Sequence, residues 1–270
     1  MFKSMAKRLQ SPSSINTFKH CKRKYYYQYI KKLPTGKSIH TVRGNIVHST
    51  LEHFFDLDNT LVTEDSVDRL FTMRLQQEFL KQWQEYNEDL QSLNMSNDQL
   101  KFYFEESLMM VMNWKKQFTA RLRKKMSPIQ DAFKELTPQR ELELKSEQHQ
   151  VRGFIDAIET EDGKVTVVDY KTNKRSDLKD SIKLQLAIYC LLYEEHYGSL
   201  PDNVAVFFLR DKQYTLPVDP ESVKDAMFEI EQIHMHTGMT EDITDYERNV
   251  TPLCKWRTGQ CDFYEVCKPH

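Results

Sequence analysis

The stretch VRGFIDAIETEDGKVTVVDYK, Val151–Lys171, decides the fold, because two runs of alternating apolar and polar residues flank an Asp-Gly pair at 162–163. An Asp-Gly pair in this position is typical of a two-residue β-hairpin turn. In the register that such a turn sets, Asp156 lies directly opposite Asp169. The sequence therefore predicts a hairpin that holds two carboxylates side by side.

Facing carboxylates, with Cβ atoms roughly 4.5–5.5 Å apart, destabilise a hairpin unless a positive group neutralises them. A Mg²⁺ ion is commonly held by one or two carboxylates together with substrate phosphate oxygens. Lys171 follows Asp169 by two residues and is expected beside such an ion. An ordinary hairpin whose acids face solvent is the alternative. Since side chains alternate along a strand, one face of the hairpin is expected to carry Phe154, Asp156, Ile158, Val167, Asp169 and Lys171.

The residues on either side of the hairpin predict a helical N-terminal half followed by a β-β-β-α-β-β-α core. This order favours an α/β fold with a mixed sheet flanked by helices. The expected helices are Ser11–Ile30, Gly44–Phe55, two or three between Thr63 and Met126, Asp180–Tyr197 and Pro220–His236. The expected strands are Gln139–Glu147, Val151–Glu159, Val165–Lys171, Asn203–Leu209 and Gln213–Val218.

Composition and charge bound the class of protein. The 270 residues are 39% hydrophobic, which is enough for a substantial core. No apolar run approaches the roughly 20 residues of a membrane-spanning helix, and the first ten residues lack the apolar segment of a secretory signal. We therefore expect a cytoplasmic protein. The net charge of −2 conceals a basic, tyrosine-rich stretch at 21–32. This stretch either contacts nucleic acid or forms a solvated helix face with its tyrosines packed inward.

The five cysteines fall into two groups. Cys190 lies in an apolar helical run and is expected to be a buried core residue. Four thiolates are the usual complement of a [4Fe–4S] cluster or a structural zinc ion. From spacing alone, four unrelated buried thiols are nearly as well favoured as a metal site. The other four cysteines are Cys21, Cys254, Cys261 and Cys267.

Five motifs, in order along the chain, resemble the PD-(D/E)XK nuclease superfamily in its RecB-like exonuclease branch. The hairpin carries two of them, and the others lie on predicted helices. They are Ser13–Tyr29 (S-x-S with C-x-x-x-Y), Gly44–His48 (G-x-x-x-H), Gly153–Asp156 (G-x-I-D), Val168–Thr172 (hD-Y-K-T) and Gln185–Tyr189 (Q-x-x-x-Y).

The resemblance implies a restriction-endonuclease-like core and metal-dependent hydrolysis of DNA, most simply by an exonuclease that prefers single strands or DNA ends. A structure-specific endonuclease and a non-catalytic DNA-binding subunit of a recombination complex are the alternatives. DNA is the implied partner, together with recombination, repair or CRISPR-adaptation proteins. On the same basis we divide the chain into N-terminal helices with Cys21 and His48 (1–55), a helical insertion (56–137), the nuclease core (138–238) and an iron–sulfur segment (239–270).

The resemblance also assigns roles to individual residues. Glu141 and Glu143, on the preceding strand, are the two candidates for one more carboxylate, and neither is favoured over the other. The implied catalytic residues are Asp156, Asp169, Lys171 and Gln185; the implied Mg²⁺ or Mn²⁺ ligands are His48, Asp156, Asp169 and the carbonyl of Tyr170; the implied DNA contacts are Lys22, Arg23, Lys24 and Tyr189.

For the cysteines, the resemblance implies a [4Fe–4S] cluster rather than zinc. Iron–sulfur members such as AddB-type and CRISPR-associated RecB-like nucleases have one N-terminal and three C-terminal cysteines. Cys21, Cys254, Cys261 and Cys267 have this layout, although six residues separate Cys254 from Cys261 where the family usually has two.

Overall fold

The computed structural model of the chain describes residues 8–174, 176–257 and 259–268. Within them lies a mixed sheet of five strands, which confirms the predicted fold class. Neighbouring strands are antiparallel except β3 and β4, which are parallel. In sheet order, which is also chain order, the strands are β1 (Gln139–Ser146), β2 (Val151–Glu161), β3 (Lys164–Lys171), β4 (Asn203–Phe208) and β5 (Gln213–Pro217).

Helices precede the sheet, cross between β3 and β4, and follow β5. The crossover helix runs from Asp180 to Tyr197, the bounds that the sequence predicts. The short helix before β1 was not predicted. The helices are α1 (Pro12–His20), α2 (Lys22–Tyr25, continued by a π-helical turn to Ile30), α3 (Ile39–Phe54), α4 (Val67–Glu85), α5 (Asn87–Ser92), α6 (Asn97–Leu122), α7 (Ile129–Glu135), α8 (Asp180–Tyr197), α9 (Pro220–Met239) and α10 (Tyr264–Cys267).

The predicted continuous helix over Ser11–Ile30 is wrong, because the chain breaks at Cys21. This residue is extended, with φ −159° and ψ 107°. Its sulfur accepts a 3.4 Å hydrogen bond from the N–H of Lys24 and so caps the first turn of α2. Cys21 therefore ends α1 and begins α2.

The helices cover both faces of the sheet. On one face α3, α4, α6 and α7 share a core with sheet residues such as Val168 and Tyr170. Aromatic rings fill this core, and the indole of Trp114 stacks on Phe118 with 5.0 Å between ring centroids. On the other face α1, α8 and α9 pack over Ile155. Among the described residues, no helix is long and apolar enough to cross a membrane.

In β1 and β2 the regular alternation of side chains between the two faces of the sheet is interrupted, at Glu141 and Asp156. We call this interruption the change of face. The ladder pairs Arg140 with Ala157 and then Leu142 with Ile155, and skips the two acids between them. Glu141 has a φ of +45°, in the left-handed region that is uncommon for residues other than glycine. The register is the same before and after this point, so the irregularity is confined to one residue on each strand.

The change of face corrects part of the sequence prediction. The register of the hairpin is confirmed from Glu161–Lys164 to Ala157–Val168. The expected common face of Phe154, Asp156 and Ile158 is wrong. Ile158 is buried in the same core as Ile155, three residues earlier, whereas the Phe154 side chain is 51% exposed. The backbone pairing of β2 with β3 ends at Ala157 and Val168. Beyond this pair, the side chain of Asp156 accepts a hydrogen bond from the backbone of β3.

Candidate active site

Asp169, Lys171 and Gln185 form a closed hydrogen-bonded triangle. Asp169 lies near the end of β3 and is only 1% exposed. The Nζ atom of Lys171 is 3.0 Å from its Oδ1 atom and 2.8 Å from its Oδ2 atom. Gln185 of α8 accepts from Lys171 through Oε1 at 2.9 Å and donates to Asp169 Oδ1 through Nε2 at 2.9 Å. The structure thus brings these predicted catalytic side chains together and fixes the ammonium group from two sides.

The close approach of α8 to β2 positions Gln185. A Cβ atom on Gly153 would lie 2.8 Å from Cε1 of Tyr189 and 3.0 Å from Cδ1 of Leu192, so that only glycine allows this contact. The hydroxyl of Tyr189 accepts a 2.7 Å hydrogen bond from Gln185 Nε2. Tyr189 is 5% exposed. Tyr189 therefore supports Gln185 from within the core, and its contact with DNA stays a prediction.

A second group of ligand-forming side chains lies on the α3 side of the sheet. The Nδ1 atom of His48 is 3.2 Å from Asp156 Oδ1 and 4.0 Å from Glu141 Oε1. Ligand atoms of all three residues lie within 4.8 Å of one another, which is the spacing of groups that share one metal ion. His48 and Asp156 were predicted; Glu141 was only one of two candidates.

The face change at Glu141 separates it from Glu143. The carboxylate of Glu143 pairs with Lys145 at 3.0 Å and with Arg152 at 3.3 Å, at an exposed edge of the sheet. Strict alternation would give the two glutamates the same environment. No periodicity in the sequence marks the irregularity, and this is why the sequence does not choose between them.

The backbone of Tyr170 joins the two groups. Its N–H donates a 2.6 Å hydrogen bond to Asp156 Oδ2. Because the N–H and C=O of one strand residue point to the same edge of the strand, the carbonyl of Tyr170 lies on the Asp156 side of β3. This orientation supports the predicted use of that carbonyl as a ligand.

The acids and the histidine strongly shift one another's pKa values. Burial lowers the pKa of His48, but the negative charges of Asp156, Asp169 and Glu141 outweigh it and raise this pKa to about 9. Burial and the charge of Asp156 raise the pKa of Glu141 to about 7. Burial also raises the pKa of Asp169, although Lys171 opposes the shift.

The donor set therefore fits a hard divalent cation. The carboxylate oxygens hold more negative charge than the described side chains neutralise without taking up protons. Among the described residues, the buried Oδ2 atom of Asp169 has the Lys171 ammonium beside it as an ion pair at 2.8 Å but accepts no hydrogen bond, so it is free to bind a cation. Carboxylate and carbonyl oxygens with one imidazole suit Mg²⁺ and Mn²⁺.

Four cysteines line one pocket together with the rings of Tyr27 and Phe263. The backbone N–H of Cys261 donates to the carbonyl of Cys254 at 2.9 Å. Burial raises the pKa of the Cys267 thiol. Cys190 is buried elsewhere, in α8, and burial raises its pKa to about 12. The four thiols of the pocket are those of Cys21, Cys254, Cys261 and Cys267.

The predicted nucleic-acid stretch at 21–32 has a largely structural role. Its tyrosines at 25–27 are buried, which confirms inward packing and rules out base stacking by these rings. Arg23 donates through Nε to the carbonyl of Tyr246 at 2.7 Å and so ties α2 to the C-terminal segment. Lys24 lines the cysteine pocket, and the Lys22 ammonium lies 5.8 Å from the centre of the Phe18 ring. DNA contacts by these three basic residues remain a prediction.

Comparison with known proteins agrees with this architecture. The family model of the PD-(D/E)XK nuclease superfamily matches residues 10–268. The chain belongs to this superfamily. The CRISPR-associated exonuclease Cas4 of Francisella tularensis subsp. novicida is 26% identical over 128 residues, which are 47% of this chain and 60% of that relative. The match thus spans less than two thirds of the relative's length.

A solved structure extends the likeness of this PD-(D/E)XK chain to almost its full length. The crystal structure of a provisionally named exonuclease from Eubacterium rectale superposes with a TM-score of 0.50, covering 98% of this chain and 94% of the other. Sequence identity is 12%, so this likeness concerns the fold alone.

Proposed function

We propose that the protein is a divalent-metal-dependent deoxyribonuclease that acts as an exonuclease on single strands or DNA ends. The observation that carries the proposal is the triangle of Asp169, Lys171 and Gln185 beside the group of His48, Glu141 and Asp156. Superfamily membership and the exonuclease named among its relatives support the same reaction.

In this proposal Asp156, Asp169, His48 and the Tyr170 carbonyl hold Mg²⁺ or Mn²⁺, and Glu141 adds a further oxygen. The ion supplies a Lewis acid for the phosphate and lowers the pKa of a water molecule that it binds. These are the ligands that the family resemblance implies, and the position of Glu141 beside His48 and Asp156 supports it over Glu143 as the further ligand.

Lys171 adds positive charge where the transition state of phosphodiester hydrolysis becomes more negative. Its ammonium is held by Asp169 and by Oε1 of Gln185, so it does not have to reorient during the reaction. Gln185 is in turn fixed by the hydroxyl of Tyr189. Gln185 and Tyr189 act through Lys171 and are positioning residues.

The test uses end-labelled linear and circular single-stranded DNA, incubated with the purified protein and Mn²⁺ or Mg²⁺. We expect cleavage of the linear strand from an end, no cleavage of the circle, and no cleavage by Asp169→Asn in either metal. Equal cleavage of the circle would replace the exonuclease by the endonuclease alternative. Near wild-type cleavage by Asp169→Asn would overturn the metal site.

We further propose that Cys21, Cys254, Cys261 and Cys267 bind a structural [4Fe–4S] cluster. The observation that supports a shared cofactor is that all four thiols line one pocket, beside Tyr27 and Phe263. Four thiolates are the usual complement of such a cluster. The expected cytoplasmic location is a reducing compartment, in which these cysteines do not form disulfides. The CRISPR-associated relative supports recombination, repair or CRISPR-adaptation proteins as partners.

A further inference from the structure

A cleft of about 640 Å³ opens next to the catalytic triangle. Its wall includes Lys171 and His48, so it is continuous with the reaction centre. Residues of α6 also line the cleft, in the segment 56–137 for which no sequence motif gives a role. The volume lies within the range of pockets that hold nucleotide-sized ligands.

Two arginines on the cleft share a single carboxylate. Arg210 pairs with Glu106 at 2.5 Å through Nη1 and at 2.6 Å through Nη2, and Arg43 pairs with the same carboxylate. Arg43 also donates to the carbonyl of Thr172 at 3.2 Å and is only 3% exposed. Two guanidinium groups against one carboxylate leave a surplus positive charge in a largely buried setting. The Nε atoms of both arginines are buried and lack a hydrogen-bond partner in the part of the chain that the structure describes.

Phe102 and Tyr103 of α6 border the same cleft. The ring of Tyr103 is already engaged, because the Arg43 guanidinium lies 5.2 Å from its centroid. The ring of Phe102 is 57% exposed and touches Tyr103 edge-on, at 5.3 Å between centroids. An exposed aromatic ring beside surplus positive charge is the combination with which proteins bind single-stranded nucleic acid.

We propose that this cleft is a nucleotide subsite for single-stranded DNA, in which Arg210 binds a backbone phosphate, the buried Arg43 adds positive charge behind it, and Phe102 stacks on the adjacent base. The inference rests on the proposed nuclease function and specifies its substrate. A base in a duplex is already stacked on its neighbours and does not offer its face to Phe102. The subsite therefore selects an unpaired nucleotide next to the phosphate that is cut.

The experiment measures binding in the inactive Asp169→Asn background, so it requires no nuclease activity. The probes are a labelled thymidine strand of about ten nucleotides, an abasic strand of the same length, and a duplex. We expect Phe102→Ala to weaken binding of the thymidine strand about 5- to 150-fold, the usual loss for one stacked base. Binding of the abasic strand and the duplex should not change.

Arg210→Gln tests the phosphate contact in the same background. It should weaken binding of the thymidine and abasic strands alike and reduce the slope of log K against log salt by about 0.7. Arg210→Lys keeps the charge and should keep the slope, which separates lost charge from misfolding. Phe228→Ala and Arg152→Gln, both exposed and outside the cleft, are the matched controls.

Two results would overturn the subsite. One is a thymidine-strand affinity of Phe102→Ala that equals that of Phe228→Ala. The other is an Arg210→Gln variant that binds as well as Arg152→Gln. Because binding is measured without catalysis, an inactive wild-type protein that still shows the expected losses would refute the nuclease proposal and leave the subsite standing.

Discussion

The backbone N–H of Tyr170 is hydrogen-bonded to the side chain of Asp156, at 2.6 Å from Oδ2, where a regular hairpin would pair it with a backbone carbonyl. The carboxylate thus completes the sheet and at the same time presents its other oxygen, Oδ1, to His48 at 3.2 Å. One side chain serves both the hairpin and the ligand group, so changes at Asp156 affect folding and chemistry together. Variants of its neighbours separate the two effects more cleanly.

Glu141 and Glu143 provide a matched pair on one strand. Glu141→Gln removes a carboxylate from the ligand group and should lower Mn²⁺ affinity and nuclease activity at least about tenfold, the least that loss of an outer-shell partner usually costs. Glu143→Gln removes only the exposed ion pairs with Lys145 and Arg152 and should change neither. Calorimetric titration with Mn²⁺ and initial cleavage rates measure both effects; equal behaviour of the two variants would contradict the assignment of Glu141.

Lys171 should contribute to the rate rather than to metal binding. Lys171→Ala removes the positive charge nearest the reacting phosphate and should lower kcat about 100-fold or more. Its Mn²⁺ affinity should stay the same or rise, because the cation then meets less repulsion and Asp169 loses its ion-pair partner. Lys164→Ala, at the other end of β3, is the control. Lost metal binding in Lys171→Ala would make the lysine structural.

Metal affinity should rise with pH. The pKa of His48 is raised to about 9 and that of Glu141 to about 7, so both groups carry protons at pH 6 that a cation must displace. Each displaced proton makes affinity rise about tenfold per pH unit. We expect a slope of log K near 2 between about pH 6 and pH 7 and near 1 from there to about pH 8.5, with a steeper slope below pH 6, where Asp169 also takes up a proton. In His48→Gln the plot of log K against pH should become flat between about pH 7 and pH 8.5. An unchanged plot in this variant would show that His48 is not a metal ligand.

The proposed [4Fe–4S] cluster in the cysteine pocket should colour the protein. Anaerobically purified protein should be brown, with iron and acid-labile sulfide in matched amounts. Alanine at Cys21, Cys254, Cys261 or Cys267 should bleach it and lower its Tm. Cys190→Ala should keep the colour and lose only about 1 kcal/mol of packing. A colourless preparation with stoichiometric zinc would overturn the cluster and leave the nuclease proposal intact.

The position of the Lys171 ammonium should depend on Gly153, because Gly153 lets Tyr189 of α8 pack closely, Tyr189 fixes Gln185, and Gln185 binds Lys171. Gly153→Ala places a methyl group 2.8 Å from Tyr189 and should cost about 1–3 kcal/mol by overpacking. It should also lower kcat while changing KM little, because a displaced Tyr189 no longer holds Gln185 in place against Lys171. Gly238→Ala in α9 meets nothing within 4 Å and should stabilise the helix by up to about 1 kcal/mol. Thermal unfolding and steady-state kinetics of the two variants would show whether the packing of α8 reaches the reaction centre.

Strong local signals made much of the fold predictable. An apolar run beginning at Asp180 and ending before Gly198 gives α8 its correct bounds, since Gly198 takes the left-handed conformation, with φ +83°, that stops a helix. The Asp-Gly turn likewise fixed the register of β2 and β3.

The errors have a common physical origin in tertiary packing. The sequence does not show how deeply Tyr189 is buried, because that depends on the missing side chain of Gly153 on another element. Cys21 looked helical, and only the contacts of α2 with the C-terminal segment show why the helix breaks there. Phe102 could not be recognised from the sequence, because a single exposed aromatic residue on a helix produces no periodic pattern or motif.

The paired irregularity at Glu141 and Asp156 has a consequence for how this site tolerates insertions and deletions. The two strands switch faces at the same rung, so both halves of the ladder keep their apolar residues inside. Deleting a residue from one strand alone would turn half of that strand inside out. Sequence drift in this hairpin should therefore proceed by substitution, with length changes confined to the loops. An engineer who transplants the ligand group must move both strands as one piece.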